Sequence, residues 1–166
     1  ILTQRKTKIS KDDTLETLEN KLSMIGRELL LDTIPDLIEG KIKPQKQDDN
    51  MATYAFNITR EEEKIDFHQP KEKVDALVRG LNPSPAAYTT IDNKVMKIYN
   101  VRFGDRNYQK TEDGTIVDFH HDGFSVVCHG EELIVTELAL EGKKRVLAKD
   151  FLNGVDKSKL KGTVLK

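Results

Sequence analysis

Apolar residues recur every three or four positions between residues 11 and 40, as they do along one face of an α-helix. The stripe consists of Leu15, Leu18, Leu22, Ile25, Leu29, Leu30, Ile34, Leu37 and Ile38. Asp13 and Glu16 have the spacing of a capping box, and Gly40 is a natural C-terminal stop. Because Pro35 lacks a backbone donor, we expect a kink or a restart of the helix just before it.

The segments on either side of this helix carry weaker patterns. Residues 1–10 alternate well enough to predict a short strand, although both of its faces are mixed. Residues 41–69 are polar and rich in turn residues, so we predict an extended linker. Within it, Thr59 and Glu62 have the spacing of a single capped helical turn.

A second helix is predicted over residues 70–81, with Pro70 in its first turn. Its apolar face consists of Val74, Leu77, Val78 and Leu81. Pro83 and Pro85 end it, because a proline disfavours helical geometry in the residue before it. We expect these prolines to form a rigid corner that orients the next strand, whose exposed face carries Lys94 and Lys97.

Beyond this corner the apolar period changes from about 3.6 to two, which is typical of strands. Five strands are predicted, over residues 86–91, 94–103, 115–120, 124–129 and 132–140. Asp92-Asn93 is a plausible tight turn between the first two strands. Short strands separated by turns predict a small closed or partly closed barrel, followed by a short helix that ends at Gly154. The predicted fold class is α+β.

Composition places the chain among soluble proteins of ordinary size. It has 166 residues, of which 37% are hydrophobic and 33% charged. Its lone cysteine, Cys128, has no partner for an internal disulfide, which favours a reducing cytoplasm. No apolar run approaches the roughly 20 residues of a membrane span, so we predict no membrane partner. The chain opens on Ile1 rather than Met, and we therefore expect it to be part of a longer protein.

Charge is balanced overall and uneven in its distribution. The net charge is −1, whereas from residue 143 onward eight Lys and Arg face two Asp and Glu. Lys143, Lys144 and Arg145 lie in a predicted loop, where they could contact a phosphate backbone or could simply be solvated. The solvated loop is the commoner case, but the neighbouring lysines bring the two interpretations to about equal weight. These lysines are Lys149, Lys157, Lys159 and Lys161.

Candidate chemistry is sparse. His120 and His121 point to opposite faces if they lie in a strand, as do Cys128 and His129, so we predict no metal site. Paired acids occur at helix starts and in the linker, where they suit the helix dipole. The sequence contains no glycine-rich phosphate loop, nucleophile elbow or HExxH motif. The residues alone therefore predict no active site.

Four stretches together resemble the methionyl-tRNA formyltransferase family. They are DDTLETLENKLSMIGRELLLDTIPDLIEG, QDDNMATYAFNITREEEKIDF, VRGLNPSPAAYTTIDNKVMKIY and ALEGKKRVLAKDFLNG. In that family the corresponding motifs are PQD…ATYA, IDW, RxxNPWPGAYT and GKKxMxAxDFLNG, and they occur here in order over nearly the whole chain. The chain departs from them at Asn57, where the family has lysine, and at Phe67 and Ser84, where it has tryptophan. We expect a weaker phosphate contact at the first and looser packing at the other two.

The resemblance implies three parts. Residues 1–43 correspond to the last strand and helix of a Rossmann-like formyltransferase domain, and residues 44–69 to a linker. Residues 70–166 correspond to an OB-like barrel domain that begins with a helix. The family transfers a formyl group from 10-formyltetrahydrofolate to the amino group of Met on initiator tRNA, in translation initiation. Its catalytic Asn, His and Asp align before Ile1, so we expect this chain alone to be inactive and to hold no cofactor of its own.

The same resemblance assigns initiator methionyl-tRNA as the partner of a basic surface. Carried over by position, the nucleic-acid-binding residues are Arg60, Lys97, Lys143, Lys144 and Arg145, with Lys64 and Lys94 as weaker candidates. Arg79 is expected to have a structural role. One alternative is a sister formyltransferase that acts on a nucleotide sugar or another small formyl acceptor. Another is a purely structural domain. The GKKR…DFLNG ending favours the tRNA enzyme.

Overall fold

A single long helix dominates the first of two units into which the chain divides. The computed structural model describes residues 1–166 and separates residues 1–57 from residues 58–166. In the first unit, α1 spans Leu15–Ile38 and a single 3₁₀ turn spans Asp49–Met51.

Residues 1–10 form no strand, contrary to the sequence prediction. A strand needs a neighbour for its backbone hydrogen bonds, and the first unit contains no other strand. The segment is held instead by side chains that reach α1. The hydroxyls of Thr3 and Thr33 lie 2.8 Å apart, and the Arg5 guanidinium contacts Glu28 and Asp32.

The start of α1 lies one residue beyond the predicted cap. The Thr14 hydroxyl accepts the Thr17 backbone N–H, and the Thr17 hydroxyl accepts the Thr14 N–H in return. These contacts form the capping box that Asp13 and Glu16 were expected to form. Asp13 instead binds the Ser10 N–H and the Lys21 ammonium group.

Pro35 does not interrupt α1, so the expected restart is wrong. The helix continues to Ile38. A proline so close to the helix end removes only one backbone hydrogen bond, and Leu31, four residues before it, is an exposed residue. The predicted stop at Gly40 is confirmed, because this residue takes a positive φ of 71° directly after the cap.

The second unit is a six-stranded antiparallel sheet with helices. Its elements are α2 (Lys71–Gly80), β1 (Ala87–Ile91), β2 (Lys94–Asn107), β3 (Ile116–Phe119), β4 (Phe124–Cys128), β5 (Glu131–Leu140), β6 (Val146–Leu147), α3 (Ala148–Asn153) and α4 (Lys157–Leu160). The strand order is β1-β2-β5-β4-β3, and β6 pairs with Glu137 and Leu138 of β5. The chain is thus a small α+β protein with an antiparallel sheet, as predicted.

Strand β2 is four residues longer than predicted. Its last residues resemble a loop in sequence, yet the strand stays paired with β5, from Phe103 opposite Leu133 to Asn107 opposite Glu131. The register shifts between these two pairs, as it does at a bulge. Gly104 lies within the shifted stretch and faces the Glu132 carboxylate.

That carboxylate is the centre of a buried polar network between strands. Glu132 is 2% exposed, and its Oε1 accepts the Ser125 hydroxyl at 2.6 Å. The His120 Nε2 lies 3.2 Å from the same oxygen and 2.7 Å from the Ser125 hydroxyl. Burial raises the pKa of Glu132, but hydrogen bonds from Ser125, His120 and the Arg106 N–H outweigh it and leave this pKa below its usual value.

The core lies between the sheet and α2. The predicted apolar face of α2 is buried through Val74, Val78 and Leu81, and these residues pack against the inner face of the sheet. The fully buried sheet residues among them include Met96, Ile98, Leu133, Val135 and Leu138. Alternation along β2 therefore sends residues 95, 97 and 99 to the opposite, outer face.

The proline corner joins α2 to the sheet through specific hydrogen bonds. Ala86, at its end, has a φ of 71° and is fully buried, and its N–H donates to the Leu81 carbonyl. The Asn82 side-chain amide donates to the Tyr99 carbonyl at 2.8 Å. The corner is therefore fastened to β2, the strand that carries the central part of the candidate site.

Candidate nucleic-acid interface

The candidate site begins with the outer face of the β1–β2 hairpin. Asp92 and Asn93 form the predicted two-residue turn, both with positive φ. This turn fixes the register so that Tyr88 pairs with Lys97. Tyr99 follows Lys97 on the same face, because alternate residues of a strand share a face.

Four of the seven predicted cations line one surface concavity of about 400 Å³. They are Arg60, Lys97, Lys143 and Arg145. Tyr99, Leu140 and Glu141 also line it. We call this group of residues the basic concavity.

Arg145 is held at three points. Its Nε and one terminal nitrogen bind the two Glu137 carboxylate oxygens at 2.7 and 2.6 Å. Its other terminal nitrogen donates to the side-chain Oδ1 of Asn82 at 3.3 Å, and its guanidinium carbon lies 4.3 Å from the Tyr99 ring centroid. The short pairing of β6 with β5 places Arg145 beside Glu137. The guanidinium plane is thus fixed while 39% of the side chain remains exposed.

Arg60 is held in a similar way from the other side of the hairpin. The capped turn is as predicted: the Thr59 N–H donates to the Glu62 carboxylate, and the Glu62 N–H donates to the Thr59 hydroxyl. This turn carries Arg60, whose guanidinium carbon lies 3.6 Å from the Tyr88 ring centroid and whose terminal nitrogen contacts Glu63. Both arginines therefore combine an aromatic ring with a carboxylate.

The two lysines of the basic concavity differ in their attachments. The Lys97 ammonium donates to the Pro85 carbonyl at 2.9 Å, so the proline corner positions it. Lys143 follows Gly142, whose φ of 72° forms the turn after β5, and its side chain is exposed. No side-chain hydrogen bond or ion pair holds the Lys143 ammonium, which leaves it open to an anion.

Three predicted cations lie elsewhere. Lys64 lines a separate depression together with four acidic residues, Glu61, Asp66, Glu112 and Asp113. Lys144 and Lys94 line two mainly apolar depressions that share Leu140, Phe151 and Val155. The expectation that Lys94 and Lys97 share one strand face is wrong, because the two residues are three positions apart and strand faces alternate.

Sequence reasoning missed the residues that hold the arginines. Tyr88 was recoverable, because a two-residue turn at Asp92-Asn93 places it opposite Lys97. The role of Glu137 is not predictable from the sequence, since Glu137 reaches Arg145 only through the pairing of β5 with β6.

The histidines and the cysteine have separate partners within the fold. Cys128 is buried, and burial raises the pKa of its thiol to about 12 while Sγ contacts the Gln69 carbonyl. His129 Nδ1 faces the His68 carbonyl, and His120 belongs to the Glu132 network. No group of three or more His, Cys, Asp or Glu is arranged to hold a metal ion. The helices are also too short or too polar to cross a membrane.

Comparison with known proteins adds a family to this geometry. A family model described as "Formyl transferase, C-terminal domain" matches residues 57–156. A methionyl-tRNA formyltransferase of Geobacillus sp. (strain WCH70) is 47% identical over 157 residues, which cover 93% of this chain and 48% of that protein. One from Halalkalibacterium halodurans is 44% identical over 99% of this chain and 52% of its own length. The chain thus spans about half the length of the curated relatives it matches.

Solved structures show the same fold at low identity. The crystal structure of HypX from Aquifex aeolicus in complex with tetrahydrofolic acid aligns with a TM-score of 0.59 and 17% identity, over 75% of this chain and 22% of HypX. A HypX variant aligns with a TM-score of 0.67 and 15% identity, over 88% of this chain and 27% of that protein. At these identities the likeness concerns the fold alone.

Proposed function

The chain belongs to the formyl transferase C-terminal domain family, and we propose that it is the tRNA-binding part of a methionyl-tRNA formyltransferase. The whole enzyme transfers a formyl group from 10-formyltetrahydrofolate to the α-amino group of Met on initiator tRNA. In this proposal the catalytic residues and the folate site belong to the half of the relatives that the chain does not span. The enzyme acts in the cytoplasm.

The basic concavity is the observation that carries the proposal. Four cations line it, against the single carboxylate of Glu141 in the lining and those of Glu63 and Glu137 bound to the arginines. A net positive concavity attracts a polyanion, and a guanidinium can bind phosphate oxygens through two N–H groups. Contacts of this kind position a nucleic-acid backbone without selecting its sequence.

The parts of the chain have separate roles in the proposal. Residues 1–43 complete a Rossmann-like formyltransferase domain, and residues 44–69 link it to an OB-like barrel at 70–166. The barrel domain presents the basic concavity together with Arg60 of the linker. Lys64, Lys94 and Lys144 contribute less, because they lie in other depressions, among acidic residues or apolar ones.

A salt series tests the proposal. The dissociation constant of the chain for tRNA is measured between 50 and 300 mM salt, and its logarithm is plotted against the logarithm of the salt concentration. For binding through phosphates, the logarithm of the association constant falls against the logarithm of the salt concentration with a slope of about −0.9 for each duplex phosphate neutralised. We expect Lys143→Ala to make this negative slope shallower by about one, because the Lys143 ammonium has no partner within the chain.

Lys110→Ala is the matched control. Lys110 is also exposed but does not line the basic concavity, so its removal is expected to leave the slope unchanged. Equal slopes for both variants would contradict the proposed surface. Binding of a nucleotide sugar without binding of tRNA would instead favour the sister formyltransferase, whose acceptor is small.

A further inference from the structure

The two arginines of the basic concavity are each held by a tyrosine. Arg60 lies over the Tyr88 ring and Arg145 over the Tyr99 ring, and these tyrosines occupy neighbouring strands. A guanidinium over an aromatic face is attracted by the negative charge of the ring's π-system. The arrangement occurs twice on one sheet face: Tyr88 lies directly opposite Lys97 on β1, and Tyr99 lies two residues beyond Lys97 on β2.

Ring and carboxylate restrain different motions of each guanidinium. Glu137 fixes the edge of the Arg145 guanidinium through two hydrogen bonds, while the Tyr99 ring restricts movement perpendicular to the guanidinium plane. Arg60 is restrained by one hydrogen bond to Glu63 and by the Tyr88 ring. Because a long side chain loses rotamer freedom when it binds a ligand, fixing it beforehand lowers the entropic cost of binding.

We propose that Tyr88 and Tyr99 are positioning residues that hold the guanidiniums of Arg60 and Arg145 ready for a sugar-phosphate backbone, a role that rests on the proposed tRNA binding. The carboxylates alone would hold the arginines but also neutralise part of their charge. The rings add restraint without adding further negative charge to that of Glu63 and Glu137. The exposed Lys143 then completes the contact.

Substitutions at Tyr99 separate positioning from other roles. Tyr99→Phe keeps the ring and is expected to bind tRNA as tightly as the wild type. Tyr99→Leu removes the ring and is expected to weaken binding about two- to five-fold, the equivalent of one exposed cation–π contact. The same pair at Tyr88 should behave alike. Circular dichroism and thermal unfolding of each variant establish that the chain is folded.

A double-mutant cycle gives the readout that a merely structural role would not move. In an Arg145→Ala background, Tyr99→Leu is expected to cost no further affinity, because the cation that the ring positions is already gone. An undiminished loss in that background would overturn the proposal, since Tyr99 would then contact RNA itself or act through the fold.

A measurement without RNA distinguishes failure of the positioning role from failure of the proposed function. Nuclear magnetic resonance of the Arg145 Nε–H group reports the mobility of its side chain in the free protein. We expect Tyr99→Leu to increase this mobility and Tyr99→Phe to leave it unchanged. Failure of the wild type to bind tRNA at low salt would contradict the proposed function, whereas an unaltered Arg145 mobility in Tyr99→Leu would contradict the positioning role.

Discussion

Gly104 offers a sharp test of how β2 is held in place. A Cβ at this position would lie 2.1 Å from Oε2 of Glu132 and 2.5 Å from its Cγ and Cδ. Glu132 cannot move aside freely, because it is 2% exposed and bound to Ser125 and His120. Gly104→Ala therefore forces either a backbone shift in β2 or the loss of these hydrogen bonds.

The expected cost follows from these two routes. Overpacking a filled site costs about 1–3 kcal/mol, and each lost hydrogen bond to a charged group about 1.5–3 kcal/mol. We expect Gly104→Ala to lower the free energy of unfolding by about 3 kcal/mol. For a folded unit of this size that corresponds to a fall of roughly 10–20 °C in Tm.

Denaturation in urea, followed by circular dichroism, measures the effect. Gly80→Ala is the matched control, because a Cβ there meets nothing within 4 Å and φ is not positive, so we expect little change. In a Glu132→Ala background, Gly104→Ala should cost much less than in the wild type, because the colliding carboxylate is absent. A loss below about 0.5 kcal/mol in the wild-type background, or an equal loss in both backgrounds, would refute the reasoning.

Two further predictions concern titratable groups. The Arg102 guanidinium lowers the pKa of Asp122 to about 2. This ion pair therefore stabilises the fold fully above the unfolded pKa near 3.8, and its contribution is lost as pH falls from there toward 2. We expect Asp122→Asn to remove that part of the acid dependence of the free energy of unfolding, measured by urea denaturation between pH 5 and 2. Burial raises the pKa of the Cys128 thiol to about 12, so a thiol reagent at pH 8 should leave the native chain unmodified and should react once the chain unfolds. Rapid reaction of the native chain would contradict the buried position of Cys128.

Local signals were enough to predict much of the fold. The second helix, the Asp92-Asn93 turn and the capped turn at Thr59 follow from short-range hydrogen bonding and apolar spacing, and the structure confirms them. The failures depend on distant partners. Residues 1–10 alternate like a strand but have no neighbouring strand, and β2 extends beyond its apolar pattern because β5 continues beside it.

In the candidate site too, short motifs predict some features, while others depend on residues that are distant in the sequence. The resemblance in short motifs predicts its cations, and the structure brings Arg60, Lys97, Lys143 and Arg145 to one concavity. The carboxylate of Glu137 that holds Arg145 arises only from strand pairing, which no local pattern encodes. Lys94 lies in another depression because a spacing of three along a strand puts it on the face opposite to that of Lys97.

The most direct test of the account is to map where tRNA contacts the chain. Backbone amide resonances are recorded while tRNA is added at low salt. The account predicts that the largest changes occur around Arg60, at residues 95–99 of β2 and at residues 139–145. Changes confined to the depression that contains Lys64, or no changes at all, would contradict it.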